Sequence, residues 1–148
     1  MSQMTAKQAF DSRTTAARSE SRSLEMTLGE LNSRYTKLNA IRAALKARRQ
    51  RSDFFSAKMF SDPAWDMLLE LYAAYLADRR VNISRLAERS AVPMTTALRW
   101  MTTLQSEGLI DRRDDPFDKR RYFLSLTAKG LNAMDKFYDN LQPGTKLL

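Results

Sequence analysis

The sequence predicts a mainly α fold with a small β-hairpin wing: a winged helix-turn-helix carrying a long N-terminal helix. Three observations lead there. Two short helical patterns meet at Ala91-Val92-Pro93, the layout of a helix-turn-helix. Next, Gly108 to Thr127 reads as a helix exit, a strand, a turn of Asp and basic residues, a second strand and a new helix start. Finally, Leu24, Leu31, Leu38 and Leu45 recur at a constant spacing of seven, with Leu28 and Tyr35 in the intermediate seam.

Taken in order, residues 1–23 are rich in Ser, Thr, Ala and Arg and read as a flexible basic arm. Residues 24–53 form the N-terminal helix. Its heptad stripe suits a dimer partner; the alternative is a groove on its own domain. Arg42, Lys46, Arg48, Arg49 and Arg51 make its end basic. That end could grip phosphates, or could be a solvated face favoured near a helix C-terminus.

The winged domain is expected over 54–141, with a tail at 142–148. Phe54, Phe55, Met59 and Phe60 should plug its junction with the helix; a ligand pocket there is the other reading. Asp62-Pro63 supplies an N-cap acceptor and a first-turn proline. Trp65, Leu68, Leu69, Tyr72, Ala73 and Leu76 follow at helical spacing. Val81-Asn82-Ile83 should add a third strand, with Ser84 capping the next helix over Leu86 and Ala87. Pro93 then opens the recognition helix, which Gly108 ends. Ala97, Met101 and Leu104 form its buried stripe, leaving Thr95, Thr96, Arg99, Thr102 and Thr103 outside. Of Leu98 and Trp100, one should pack and one be exposed. Thr127 caps the last helix, with Leu131, Met134, Phe137, Tyr138 and Leu141 on its apolar side and Pro143-Gly144 as its stop.

Composition narrows the function. The 148 residues carry 25 basic and 17 acidic side chains, a net charge of +8 that favours polyanionic partners. The first 60 residues hold 12 basic against 5 acidic groups, and the rest are nearly balanced. Cationic groups in the winged part must therefore be clustered to act on DNA. With no Cys and no His, thiol redox sensing, Cys/His zinc sites and most nucleophile–base catalysis are excluded. No cofactor or metal is expected, and no enzyme activity. No apolar run approaches membrane length and no signal-like segment opens the chain, so a cytoplasmic, nucleoid-associated location is expected.

Short polar and long cationic groups on the first turns of a recognition helix suit base edges, which points to Thr95, Thr96 and Arg99. The hairpin offers Arg112, Arg113, Lys119, Arg120 and Arg121. Strand alternation sends Arg112 and Arg113 to opposite faces. Asp118, two residues before Arg120, is placed to hold that guanidinium in one rotamer.

Gly108-Leu109-Ile110, Arg112-Arg113, Asp115-Pro116, Asp118-Lys119-Arg120 and Leu126-Thr127-Ala128-Lys129-Gly130 together resemble the wing of the MarR (multiple antibiotic resistance regulator) family. Leu86-Ala87 and Leu104 fit that family's helix-turn-helix, and the resemblance spans roughly residues 54–141. It implies a homodimer on a palindromic duplex site, terminal helices interlocked at the interface, and Arg120 in the minor groove. It leaves a small-molecule effector open; the absence of Cys closes oxidative release. The competing reading is a winged-helix module for protein contacts or non-specific DNA association.

Overall fold

The computed structural model describes residues 6–141, with side chains from Glu20 onward. The helices are α1 (Ala6–Gln50), α2 (Pro63–Leu76), α3 (Ile83–Arg89), α4 (Met94–Ser106) and α5 (Ala128–Asp139). Three strands, β1 (Val81–Asn82), β2 (Ile110–Asp114) and β3 (Tyr122–Leu126), form an antiparallel sheet in the order β1-β3-β2. Compact units lie at Met1–Thr36 and Lys37–Leu148.

In the first unit, the expected basic arm is helical from Ala6. Ala, Gln, Lys and Arg are good helix formers, and no Pro or Gly interrupts before Gly29. The side chains of Arg13 and Arg18 lie outside the described residues. Leu24, Leu28, Leu31 and Tyr35 are all exposed.

The second unit holds the core, with Ile41, Met67, Leu69, Leu71, Tyr72 and Leu86 at its centre. Leu38 and Leu45 are buried there with Ile41 and Ala44. The heptad stripe therefore divides: its C-terminal leucines pack on their own domain. The α1 end is also held internally. Arg48 Nε donates to Asp66 Oδ1 at 2.5 Å, and Arg49 pairs with Glu70, so α1 is tied to α2. These two cations already have carboxylate partners and are poorly placed to grip phosphates.

The connector departs from expectation. Phe54, Phe55, Met59 and Phe60 do not plug a junction; Phe54 is 80% exposed. Two 3-10 turns, Arg51–Asp53 and Ala57–Phe60, are too short to turn a common apolar face inward. Phe55 and Phe60 instead meet edge to face, with centroids 5.6 Å apart.

Local capping explains most helix starts. Asp62 accepts from the Trp65 amide, and Thr127 Oγ1 accepts from the Gly130 amide at 3.0 Å. For α3 the cap is Asn82, whose Oδ1 accepts from the Arg85 amide at 2.8 Å, rather than Ser84. Val81 pairs with Leu124 and Asn82 with Phe123, so the strand stops at Asn82 and Ile83 is already helical. Gly108 leaves α4 at φ 69°, a left-handed conformation suited to glycine.

One polar network closes α5 onto the core. Tyr72 donates its hydroxyl to Asp135 Oδ1 at 2.5 Å, and Lys37 Nζ lies 3.0 Å from Asp135 and 3.2 Å from Asp139. Burial raises the Asp135 carboxyl, but hydrogen bonds from Tyr72 and Lys37 outweigh it and hold the carboxyl below the usual range. Burial first, then the Asp135 carboxylate, pushes the Tyr72 hydroxyl up. A depressed carboxyl contributes stability above its unfolded value, near pH 4, which is lost as pH falls through the folded value. Asp135→Asn should therefore lower stability at pH 7 by about 1 kcal/mol, discounted for partial exposure. It should also flatten the acid limb below about pH 4. Thermal melts across pH 2–7 check both, and parallel acid limbs would refute the assignment.

Candidate nucleic-acid interface

The turn between α3 and α4 is tight, with Ala91 at φ 53°. It seats α4 so that Ala97, Met101 and Leu104 are buried. At 3.6 residues per turn, Thr95, Arg99, Thr102 and Ser106 then occupy the opposite face, and all four are exposed. Thr96 is half-buried on the flank. Thr102 and Thr103 donate their hydroxyls to the Leu98 and Arg99 carbonyls, at 3.0 and 3.1 Å. Arg99 is the cation of this helix. Leu98 and Trp100 are both exposed, at 42% and 38%, against the expectation that one would pack. Leu98 sits about 90° and Trp100 about 70° from the centre of the buried stripe, on opposite sides, at its margin rather than under it.

The hairpin root is apolar: Ile110 pairs with Leu126, and both are buried. Further out the residues turn cationic. Arg112 lies over the Tyr122 ring, 3.3 Å from its centroid, with Asp114 3.8 Å away. Arg113 pairs in register with Phe123 and is exposed. As alternation predicts, the two arginines face apart, and Arg112 is engaged by the hairpin itself.

The loop is ordered by its own aspartates. Phe117 N donates to Asp115 Oδ1 at 2.9 Å, Arg120 N to Asp118 Oδ1 at 3.0 Å, and Asp115 N to the Arg121 carbonyl at 3.0 Å. These Asx-type bonds fix a turn without glycine. The Asp118 carboxylate lies 3.6 Å from Arg120 Nε and 3.7 Å from Arg121 Nε. It thus lies within ion-pair range of two guanidiniums, where the sequence suggested one. Both side chains stay open, Arg120 at 94% and Arg121 at 75%, and Lys119 is exposed beside them.

Behind the wing, Thr127 N and Oγ1 donate to the Leu109 and Gly108 carbonyls, at 3.0 and 2.6 Å. Gly130 packs so close that an added Cβ would stand 2.1 Å from the Leu109 carbonyl oxygen. The Leu-Thr-Ala-Lys-Gly run thereby locks α5 to the hairpin root.

Two features escaped sequence reasoning. One is Phe117 at the wing tip, 91% exposed. The other is an arginine group away from the hairpin: burial, then the guanidiniums of Arg42, Arg85 and Arg89, disfavours the charged form of Arg79. The α3 spacing of Arg85 and Arg89, one helical turn apart, was the available signal. Among the described residues, no group of three or more His, Cys, Asp or Glu is placed to hold a metal, and no helix is long and apolar enough to cross a membrane.

This arrangement agrees with comparison to known proteins. Residues 68–130 match the family described as a winged helix DNA-binding domain. The match runs from α2 through the helix-turn-helix and wing to Gly130, and contains every residue on which the MarR resemblance rests. Residues 68–130 thus form a winged-helix domain. The chain is also similar to the HTH-type transcriptional repressor YetL of Bacillus subtilis (strain 168). Identity is 29% over 84 residues, covering 57% of this chain and 49% of YetL. The chain thus matches about half the length of that relative. Among solved structures, MarR is 26% identical with a TM-score of 0.43, covering 53% of this chain and 54% of MarR. The MepR–DNA complex of S. aureus is 19% identical with a TM-score of 0.46, covering 66% and 73%.

Proposed function

We propose that the chain is a homodimeric transcription regulator that reads a palindromic site in duplex DNA. The observation that carries this reading is the wing: a self-ordered loop in which one carboxylate lies within ion-pair range of two open guanidiniums. Arginines held this way lose less entropy on entering a groove, and a narrow minor groove attracts them. Thr95, Thr96 and Arg99 of α4 would face base edges in the major groove. Arg113, Lys119 and Arg121 would neutralise phosphates, with Arg112 supporting the hairpin. The location would be cytoplasmic, on the nucleoid.

The dimer reading rests on the exposed part of α1. Leu24, Leu28, Leu31 and Tyr35 follow a four-three-four spacing and form a seam with no cover in their own unit. Leu38 and Leu45 are left out of that seam because they serve the core. A two-fold axis would place two recognition helices about one DNA turn apart. Leu28→Lys with Leu31→Lys should give monomers with an intact melting transition. Their DNA affinity should fall by roughly a hundredfold or more, as avidity is lost. Sedimentation and selection from a random duplex pool test this. A dimeric parent recovering one shared palindrome supports the reading; a monomeric parent at micromolar concentration defeats the dimer. The protein-contact alternative draws on the exposed Leu98 and Trp100 of α4. It would be favoured by selection that recovers no common sequence.

A further inference from the structure

We infer that Phe117 is a DNA-contacting residue, an apolar tip that lies against the sugar walls of the minor groove beside Arg120; this rests on the DNA-reading function proposed above. Phe117 is 91% exposed, in a loop whose neighbours are ionic. Its position is imposed. The Phe117 amide is bonded to the Asp115 carboxylate, Pro116 restricts the backbone before it, and Asp118 is occupied with Arg120 and Arg121 just after it. A phenyl ring left in water forgoes its burial, which an apolar wall would restore.

Charge selects the occupant. Within four residues of the tip, Arg113, Lys119, Arg120 and Arg121 stand against Asp114, Asp115 and Asp118. Asp115 and Asp118 accept from loop amides while the guanidiniums of Arg120 and Arg121 stay open, so the partner that fits is anionic outside and apolar at short range. The minor groove has that chemistry: phosphates line its rims and deoxyribose faces form its walls, and apolar side chains are used there by other DNA-binding proteins. An acidic protein surface would supply the charge without a groove for the ring. Arg120 would supply electrostatic attraction, and Phe117 a contact indifferent to salt.

The test is a salt titration of DNA binding by the full chain, on a duplex that the parent binds. Variants are Phe117→Ala, Phe117→Leu and Arg120→Ala. Phe117→Ala should weaken binding about tenfold at every salt concentration, leaving the slope of log affinity against log salt unchanged. Phe117→Leu should recover most of that loss. Arg120→Ala should reduce the slope by about one. Melting temperatures of the Phe117 variants should match the parent, because the ring packs on little. Phe117→Ala binding like the parent overturns this contact while leaving the regulator reading intact. A Phe117→Ala loss that appears as a changed slope also overturns it. A parent that binds no duplex even at low salt overturns the regulator reading itself.

Discussion

Affinity for duplex DNA should fall by about 10³–10⁵-fold as salt rises from roughly 50 to 200 mM. Arg99, Arg113, Lys119, Arg120 and Arg121 are the candidate cations of each protomer, and all are exposed. If most of them in both protomers of a dimer meet phosphates or the groove, counterions are released in numbers that produce a steep slope, near −0.9 per neutralised phosphate. Net charge alone makes a different prediction. Residues 61–148 are almost neutral, so a diffuse attraction without clustered contacts would give a shallow slope. Fluorescence anisotropy across that salt range separates the two. A slope close to zero would remove the wing and α4 from the role assigned to them.

Gly130→Ala should destabilise the winged domain by about 2–4 kcal/mol, lowering its melting temperature by roughly 10 °C or more. The added Cβ would stand 2.1 Å from the Leu109 carbonyl oxygen and 3.3 Å from Leu126 Cδ2. The first of these is backbone at the hairpin root, so it cannot swing aside as a flexible side chain would. Relief requires α5 to move off β2, which also strains the Thr127 bonds to Gly108 and Leu109. Ordinary helix propensity predicts the opposite sign, since Ala is favoured over Gly by about 1 kcal/mol within a helix. A thermal melt of the variant therefore discriminates cleanly, and a melting point at or above the parent's would show that the close approach is absent. Gly29 is the contrasting case: nothing lies within 4 Å of its added Cβ.

Features governed by neighbours in sequence were legible in advance. Asp62 and Thr127 cap their helices because a side chain reaches an amide three residues on, and Gly108 terminates α4 through its own backbone freedom. The two strands and the stripe of Ala97, Met101 and Leu104 follow from spacing alone. The proximity of Asp118 to Arg120 is likewise local, and the two lie 3.6 Å apart.

Tertiary structure decided matters that depend on which surface covers which residue. Heptad spacing treats Leu24 and Leu38 alike, yet Leu38 and Leu45 are buried in the core while Leu24 and Leu31 are exposed. Periodicity reports that a face is apolar and is silent about the surface opposite. The α3 cap moved from Ser84 to Asn82 because β1 pairs with β3, some forty residues later in the chain. The connector aromatics are exposed because short 3-10 turns cannot aim them together. Phe117 reads as an ordinary aromatic until the Asp115 and Asp118 bonds hold the tip open. The sequence by itself determined most helices of the winged domain, the capping at Asp62, Gly108 and Thr127, and the cationic hairpin, since these arise from interactions a few residues long. Burial, the choice of partners for α1, and the close contact at Gly130 required the folded chain, because each joins groups that the sequence holds far apart.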